Sequence, residues 1–418
     1  MKLSFLLPIL VASVGLYLLI KLRFFFVLHP SKTMRGFVSA LGDRGARRSF
    51  CLALAGTLGV GNIFGVAAGI MIGGAGSLFW LLVSSLFAMI IKYAETLLTF
   101  ESGAPKGGMA EVIRCALKRC GRFFAPLYAA LTLILSLFIG SAMQSVAVLD
   151  VAETALAINP MIGAVILIIL LLPCLVGGDE KIESITEIII PLTTIIYILM
   201  CFGVIFLNFN RFVEVIKFII SSAFNFKSAL GGVSFIAIKE GFARGILSNE
   251  SGAGTSAMAH SNHQERTPHI AGLFAMCEVV FDSIILCMLT GFTILLSVED
   301  ISAFNSPMSL VSAAFATSLG SFSVYILLIL VFAFAYSTLV CWYFYGTRCS
   351  NLYFRKIKPI YPFLFLFFVV ISRLIDSKTV IYITDFLLLI MTAITLSVII
   401  KRSNEIAEIS HKAQKNPD

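Results

Sequence analysis

The chain has 418 residues, 59% of them hydrophobic and 13% charged, with a formal net charge of +8 at pH 7. A soluble domain carries roughly 25% charged residues, so this composition, with a mean hydropathy of +0.97, excludes an ordinary water-soluble fold and makes lipid the main solvent. The positive balance needs no nucleic acid, because basic loops on one side of a membrane account for it.

Apolar runs of about 20 residues, long enough for a helix to cross roughly 30 Å of hydrocarbon, recur along the chain. They fall near residues 3–28, 50–73, 77–100, 123–149, 160–177, 186–208, 229–260, 268–298, 322–346, 359–375 and 377–400. This predicts an all-α polytopic membrane protein of about 11 transmembrane helices in a single integral membrane domain. The first run, within residues 1–30, is too long for the apolar region of a signal peptide and no small-residue cleavage site follows it, so it reads as a retained extra helix. Segment 209–228 (FNRFVEVIKFIISSAFNFKS) is apolar at helical spacing on one side only, which predicts a helix lying flat at the interface, with 306–319 a second candidate. Residues 401–418 read as a solvated cytoplasmic tail.

Lys and Arg in short loops mark the cytoplasmic side. Lys32, Arg35, Arg44, Arg47 and Arg48 follow the first span, Lys106, Arg114, Lys118, Arg119 and Arg122 follow the third, and Arg348, Arg355, Lys356 and Lys358 follow the ninth. The connections around Asp150 and Glu153, and around Glu299 and Asp300, hold neither Lys nor Arg. This predicts a multi-pass plasma-membrane protein with its N-terminus outside and its C-terminus cytoplasmic. Arg211, Lys217 and Lys227, against Glu214, run counter to the rule on the outer side.

Two spans are interrupted. GTLGVGNIFG at 56–65 carries four glycines and Asn62 in the middle of the second span, and SNESGAGTS at 248–256 interrupts the seventh. Gly61 and Gly65 have the spacing that lets a neighbouring helix approach closely, but a second interruption of the same kind argues for more than packing. Setting the first span aside, the broken helices are the first and sixth of the core, the pattern of a 5+5 inverted repeat, residues 50–208 and 229–400, with discontinuous helices meeting at the midplane. Where a helix unwinds in hydrocarbon, its freed N–H and C=O groups need partners. Amides at the start of a half-helix attract a carboxylate, and freed carbonyls suit an ammonium group or a bare cation, so the breaks predict a site for a zwitterion with a small cation.

GTLGVGNIFGVAAGIMIGGAGSLFW, KYAE at 92–95, GILSNESGAGTSAMAH at 245–260 and AFAYSTLVCWYFYG at 333–346 together resemble, in order and over most of the chain, the sodium:alanine (alanine or glycine:cation) symporter family, whose fold is of the leucine-transporter type. The resemblance implies import of a small neutral amino acid, chiefly alanine or glycine and in some members glutamine, driven by Na+ or sometimes H+. On the matching positions it implies substrate contacts at Gly59, Gly61 and Asn62 in the first break and at Ser248, Asn249, Ser251 and Gly252 in the second, where Glu250 and Gly254 also match. Gln144 stands where the family often has a Met-Gln segment, and Trp342 joins the implied pocket. Ser337 and Thr338, with backbone carbonyls near Gly56 and Gly59, are the implied Na+ ligands; the alternative for these hydroxyls is a bond back to their own helix. Thr338, Trp342 and Tyr345 share one helix face. The chain departs from the family at Val60, where a Thr is usual, and at Ala75, where a Pro is usual.

The remaining polar residues divide between structure and function. Glu240 with Arg244, and Lys92 with Glu95, have the spacing of in-helix ion pairs. Asp282 and Asp385 have no local partner, which leaves proton coupling or a cross-helix hydrogen bond. Glu250 either organises the second break or ligates. His260, His263 and His269 lack the companions of a metal site, and the nine cysteines, with no CxxC pair, read as structural. No cofactor beyond the coupling ion and no obligate protein partner is expected. The absence of a GxxxxGK loop removes direct ATP drive, and a membrane enzyme would need clustered acid, base or metal residues. A channel or a transporter-like receptor is the alternative of another class.

Overall fold

The computed structural model describes residues 3–29, 31, 37–38, 42–103, 107–156, 158–224, 232–261, 267–375 and 377–415; Lys32, Arg35, Lys106, Lys227 and His263 lie outside them. Every regular element among these residues is a helix. The chain runs through α1 (Leu3–Lys21), α2 (Phe25–Leu28), α3 (Arg44–Thr57), a π-helical turn (Gly61–Gly65) leading into α4 (Val66–Gly73), α5 (Gly76–Glu101) and α6 (Gly108–Ala116). Next come α7 (Lys118–Leu135), a π-helical stretch (Ser136–Met143), α8 (Gln144–Leu156), α9 (Pro160–Leu207) and α10 (Phe209–Ala223). The second half holds α11 (Gly232–Asn249), α12 (Ser256–His260), α13 (Pro268–Val279), a third π-helical stretch (Val280–Cys287), α14 (Met288–Ser297), α15 (Pro307–Leu319), α16 (Phe322–Tyr353), α17 (Tyr361–Ile371), α18 (Ser377–Lys401) and α19 (Ser403–Lys415).

Local sequence sets several starts. Asn159, Thr267 and Ser306 each cap a helix through the side-chain oxygen, and in each case a proline follows at the first helical position, where its missing N–H costs nothing. Among the described residues six helices are long and apolar enough to cross a membrane, against the eleven expected, and a seventh span arises if the bent pair Arg44–Thr57 and Gly61–Gly73 counts as one. Helix α9 is the longest, at 48 residues, and at 1.5 Å per residue it is about twice as long as the hydrocarbon is thick. It turns at Gly178, whose φ of 62° and ψ of −159° are not helical. The expected connection between 177 and 186 is therefore one glycine wide, with Asp179 to Ile185 already helical.

Both segments expected at the interface contain a helix, α10 and α15. Two expectations change. The first apolar run is divided at Arg23 and Phe24, which adopt left-handed backbone. The C-terminal segment is a packed helix, not a merely solvated tail: Lys21 Nζ donates to Ser403 Oγ at 2.7 Å, and Ser410 is fully buried. Lys401 Nζ reaches Ala116 O at 2.8 Å, so the end of the first helix, the loop between α6 and α7, and the C-terminal helix share one end of the molecule.

The helix that precedes the second break, α11, lies along α5, and glycines permit the approach. A Cβ on Gly241 would stand 2.4 Å from Ser77 O and 2.6 Å from Trp80 Cβ, and one on Gly245 would stand 2.0 Å from Ser84 Oγ. Small residues at such a crossing let backbones meet where lipid supplies no hydrophobic drive between helices. Replacing Gly241 with Val is expected to lower stability by about 1–3 kcal/mol, the usual cost of overpacking, read as an earlier unfolding transition of the purified protein in detergent.

Candidate functional site

Both expected breaks are present. The first leaves the helix at Thr57 and resumes it at Gly61, with a bend of 50° between the halves. The second runs from Glu250 to Thr255, between α11 and α12. Glu250, Gly252 and Gly254 all have positive φ, at 53°, 91° and 75°, conformations that glycine adopts without strain and other residues rarely do.

One carboxylate joins the two. Asp282, in the π-helical stretch that follows α13, accepts from Asn62 Nδ2 at 2.5 Å, and its other oxygen lies 2.8 Å from Ser248 Oγ and 2.6 Å from Ser283 Oγ. Ser248 Oγ is also 3.2 Å from Asn62 Oδ1. Asn62 stands at the start of the second half of the first broken helix and Ser248 near the end of the first half of the second, so this network ties the breaks together at their junction. Asp282 is fully buried. Of the two readings open for it from sequence, the cross-helix hydrogen bond is present.

Beside the first break, Gly59 admits two side chains that a larger residue would exclude. A Cβ there would stand 3.0 Å from Thr338 Oγ1 and 3.5 Å from Gln144 Oε1. Thr338 Oγ1 donates to Phe334 O at 3.0 Å and lies 3.5 Å from Leu58 O; Ser337 bonds back to Phe334 O at 2.9 Å. The carbonyl brought to Thr338 is thus that of Leu58, one residue before Gly59. Near Gly56 the neighbours are Tyr345 Oη and Cys341 Sγ. Gln144 Oε1 and Trp342 Nε1 are buried and without a hydrogen-bond partner, and Trp342 sits against Gly140 with no room for a Cβ between them. Gly61 has open space where a Cβ would stand. A crevice too tight to admit a water molecule borders the junction, lined by Leu58, Gly59, Asn62, Ile63, Tyr197, Leu286 and Phe334.

Gly59, Asn62, Gln144, Ser248 and Thr338 therefore converge on the first break. The other second-break residues face elsewhere. Asn249 donates from Nδ2 to Gly245 O at 2.5 Å and to Ser283 Oγ at 3.0 Å, and accepts from Ser251 N at 3.0 Å, so its hydrogen bonds organise the break itself. Ser251 Oγ donates to Ala88 O of α5, and a Cβ on Gly252 would meet Thr392 of α18 at 2.7 Å.

Sequence spacing misassigned one ion pair. Lys92 does not pair with Glu95; its ammonium sits 3.0 Å from Glu278 Oε1 and 2.7 Å from Ser256 Oγ, while His260 Nε2 lies 3.1 Å from the other oxygen of Glu278. Glu240 and Arg244 do pair, at 3.5 Å, and Asp385 lies within electrostatic reach of Arg244. Among the described residues no cluster of His, Cys, Asp or Glu has the form of a metal site. Three further features had no signal in the sequence: the link through Asp282, the crevice wall from Tyr197, Leu286 and Phe334, and the three π-helical stretches that carry Asn62, lead into Gln144 and carry Asp282. Such bulges recur at functional sites because the extra residue re-aims side chains.

The fold and the paired breaks define an all-helical membrane transporter of the leucine-transporter type. A variant of the Eremococcus coleocola manganese transporter superposes with a TM-score of 0.57 at 14% identity, covering 88% of this chain and 76% of that one, a likeness of fold. The chain belongs to the sodium:alanine symporter family, whose sequence profile matches residues 1–416. Relatives include an uncharacterized transporter of Haemophilus influenzae, 33% identical over 362 residues, which cover 82% of this chain and 78% of that protein. The sodium/alanine symporter AgcS of Methanococcus maripaludis is 30% identical over 352 residues, 78% of this chain and 73% of its own length. The probable sodium/glutamine symporter GlnT of Bacillus subtilis is 29% identical over 361 residues, 82% and 73%. These relatives and the family are transporters, not enzymes.

Removing the shared acceptor strands donors from both breaks. Hydrogen bonds to a charged group contribute about 1.5–3 kcal/mol each, so Asp282→Ala is expected to cut transport about tenfold or more in protein that still folds, and Asp282→Asn, which keeps one acceptor oxygen, to cut it less. Wild-type kinetics in the Ala variant would remove the carboxylate from the site.

Proposed function

We propose that this protein imports a small neutral amino acid, alanine or glycine, by symport with Na+. The observation that carries the reading is the junction of the breaks: Gln144 Oε1, buried and unbonded, beside Gly59, with the Leu58 carbonyl and Thr338 Oγ1 3.5 Å apart. The unbonded acceptor suits an ammonium group, the freed amides at Gly61 suit a carboxylate, and the carbonyl and hydroxyl oxygens suit a hard cation. Asn62, Ser248 and Asp282 hold the halves in register around that ligand. Na+ supplies the drive, since each elementary charge moved through 100 mV is worth about 2.3 kcal/mol, roughly fiftyfold in accumulation.

The two five-helix halves, residues 50–208 and 229–400, rock about the breaks with the extra helix at 1–30 outside the repeat. The basic segments gathered at one end face the cytoplasm by the positive-inside rule, which puts the N-terminus outside and the C-terminus inside the plasma membrane. At the other end Arg211 lies 3.4 Å from Glu299, and Arg373 reaches Asp150 and Glu153 at 2.6 and 2.5 Å, so several outer basic residues are matched by acidic ones.

The test is uptake of labelled alanine, glycine and glutamine into proteoliposomes under imposed Na+ or proton gradients, glutamine being included because GlnT is nearly as similar as AgcS. Alanine or glycine is expected to accumulate with inward Na+; accumulation indifferent to both gradients would end the symport reading. Thr338→Val is expected to raise the Na+ concentration required, and Gln144→Leu to raise the KM for the amino acid with little change in Na+ dependence. The reverse pattern would exchange the two roles.

A further inference from the structure

The second break is surrounded by ionisable side chains that the transport site does not use. Lys92, Glu95, His260 and Glu278 are fully buried and Glu250 is 8% exposed. Glu278 is held by Lys92 and His260, and Glu250 accepts from Thr255 Oγ1 at 2.7 Å. Glu95 differs from both. Neither of its oxygens makes a hydrogen bond of good geometry among the described residues, and the backbone amides of Gly252 and Gly254 in the break make only marginal contact with it.

Three carboxylates thus share one ammonium. An ionised carboxylate with no donor, out of reach of water, costs several kcal/mol, and the amides it faces are the donors it would be expected to take. A metal ion does not fit, since no set of three ligands is arranged for one among the described residues. A proton does fit. A protonated carboxyl loses the negative charge that would draw the Gly252 and Gly254 amides in, which matches the marginal contact they make with it.

We propose that Glu95 holds an exchangeable proton, forming a proton-binding site at the second break separate from Thr338 and Leu58 and from Asp282. The charged groups facing it are Lys92 on its own helix and Glu278 on α13; around that pair stand Glu250 in the break, His260 on α12, and Asp282 on the π-helical stretch after α13. From α7, Tyr128 donates to Ala253 O at 2.6 Å and faces Glu95; from α16, Cys341 and Tyr345 face Glu250. Loss of the proton to water admitted when the transporter opens would leave an ionised Glu95 free to accept fully from the Gly252 and Gly254 amides and tighten the break; its return releases them. One O–H bond breaks or forms, and water is the only other participant.

The existence of the site is independent of the proposed cargo, while its effect on transport rests on that reading, and two measurements keep them apart. In infrared spectra of the full-length protein at neutral pH, a protonated-carboxyl C=O band that shifts in D2O is expected in wild type and in Glu240→Gln, and is expected to lose intensity in Glu95→Gln. Unchanged intensity in Glu95→Gln overturns the proposal. If that variant does not fold, Glu95→Asp keeps an acid at the position and is expected to shift the band; an unshifted band counts against the site. In proteoliposomes, net uptake is expected to depend on lumenal pH in wild type and to lose that dependence in Glu95→Gln, while amino-acid exchange persists in both. Wild type that exchanges no amino acid would refute the transport reading and leave the infrared band to decide the proton site.

Discussion

The structure depends on a single acceptor shared by two unwound helices. Unwinding in hydrocarbon exposes peptide groups that lipid cannot satisfy, and two such interruptions are tolerable only if something fixes them to one another and to the surrounding helices. Asp282 does this from a third element, bonded to Asn62 of one broken helix and close to Ser248 of the other. Its position depends on the π-helical stretch that carries it. Because the group is buried and its acceptor capacity is taken up by side chains, any movement of one broken helix relative to the other must exchange those bonds or carry the aspartate along.

The second break is satisfied largely from within. Asn249 bonds to Gly245 O and receives the Ser251 amide, Thr255 bonds to Glu250, and Tyr128 from α7 donates to Ala253 O. Glycines at 252 and 254 supply the backbone geometry. The first break is less complete: Leu58 O has only a long contact to Thr338, and Gln144 Oε1 has none. That asymmetry fits a division of labour in which the first break offers groups to a ligand and the second forms a stable, proton-sensitive pivot. The helix after the second break, α12, is pinned at both ends to Glu278, through Lys92 at Ser256 and directly at His260, so its release is a natural step toward opening the end of the molecule that carries the basic loops.

Much of this was legible in the sequence, and for a definite physical reason. The length of apolar runs is set by bilayer thickness, so the long apolar helices and both breaks could be placed from composition and spacing, though not the number of crossings. Glycine in the middle of a span has few explanations, and its recurrence at 56–65 and 248–256 narrowed them to one. The ordered motifs then identified the family.

What the tertiary structure alone decided was which distant groups meet. Local spacing paired Lys92 with Glu95, three residues away, but in the folded chain the lysine lies against Glu278 and Ser256, because hydrogen-bond reach across a helix crossing is as short as reach along one turn. Asn249, singled out for its place in the second break, bonds to Gly245 O, Ser283 Oγ and the Ser251 amide, partners that its motif did not name. Asp282 had no neighbour in sequence to explain it, since its partner Asn62 is 220 positions away. Hydropathy marks the long apolar helices, and glycine spacing marks where two of them unwind; the rotation of each helix about its axis, and hence which carboxylate joins which break, follows only from how glycine-lined surfaces and π-helical turns pack together.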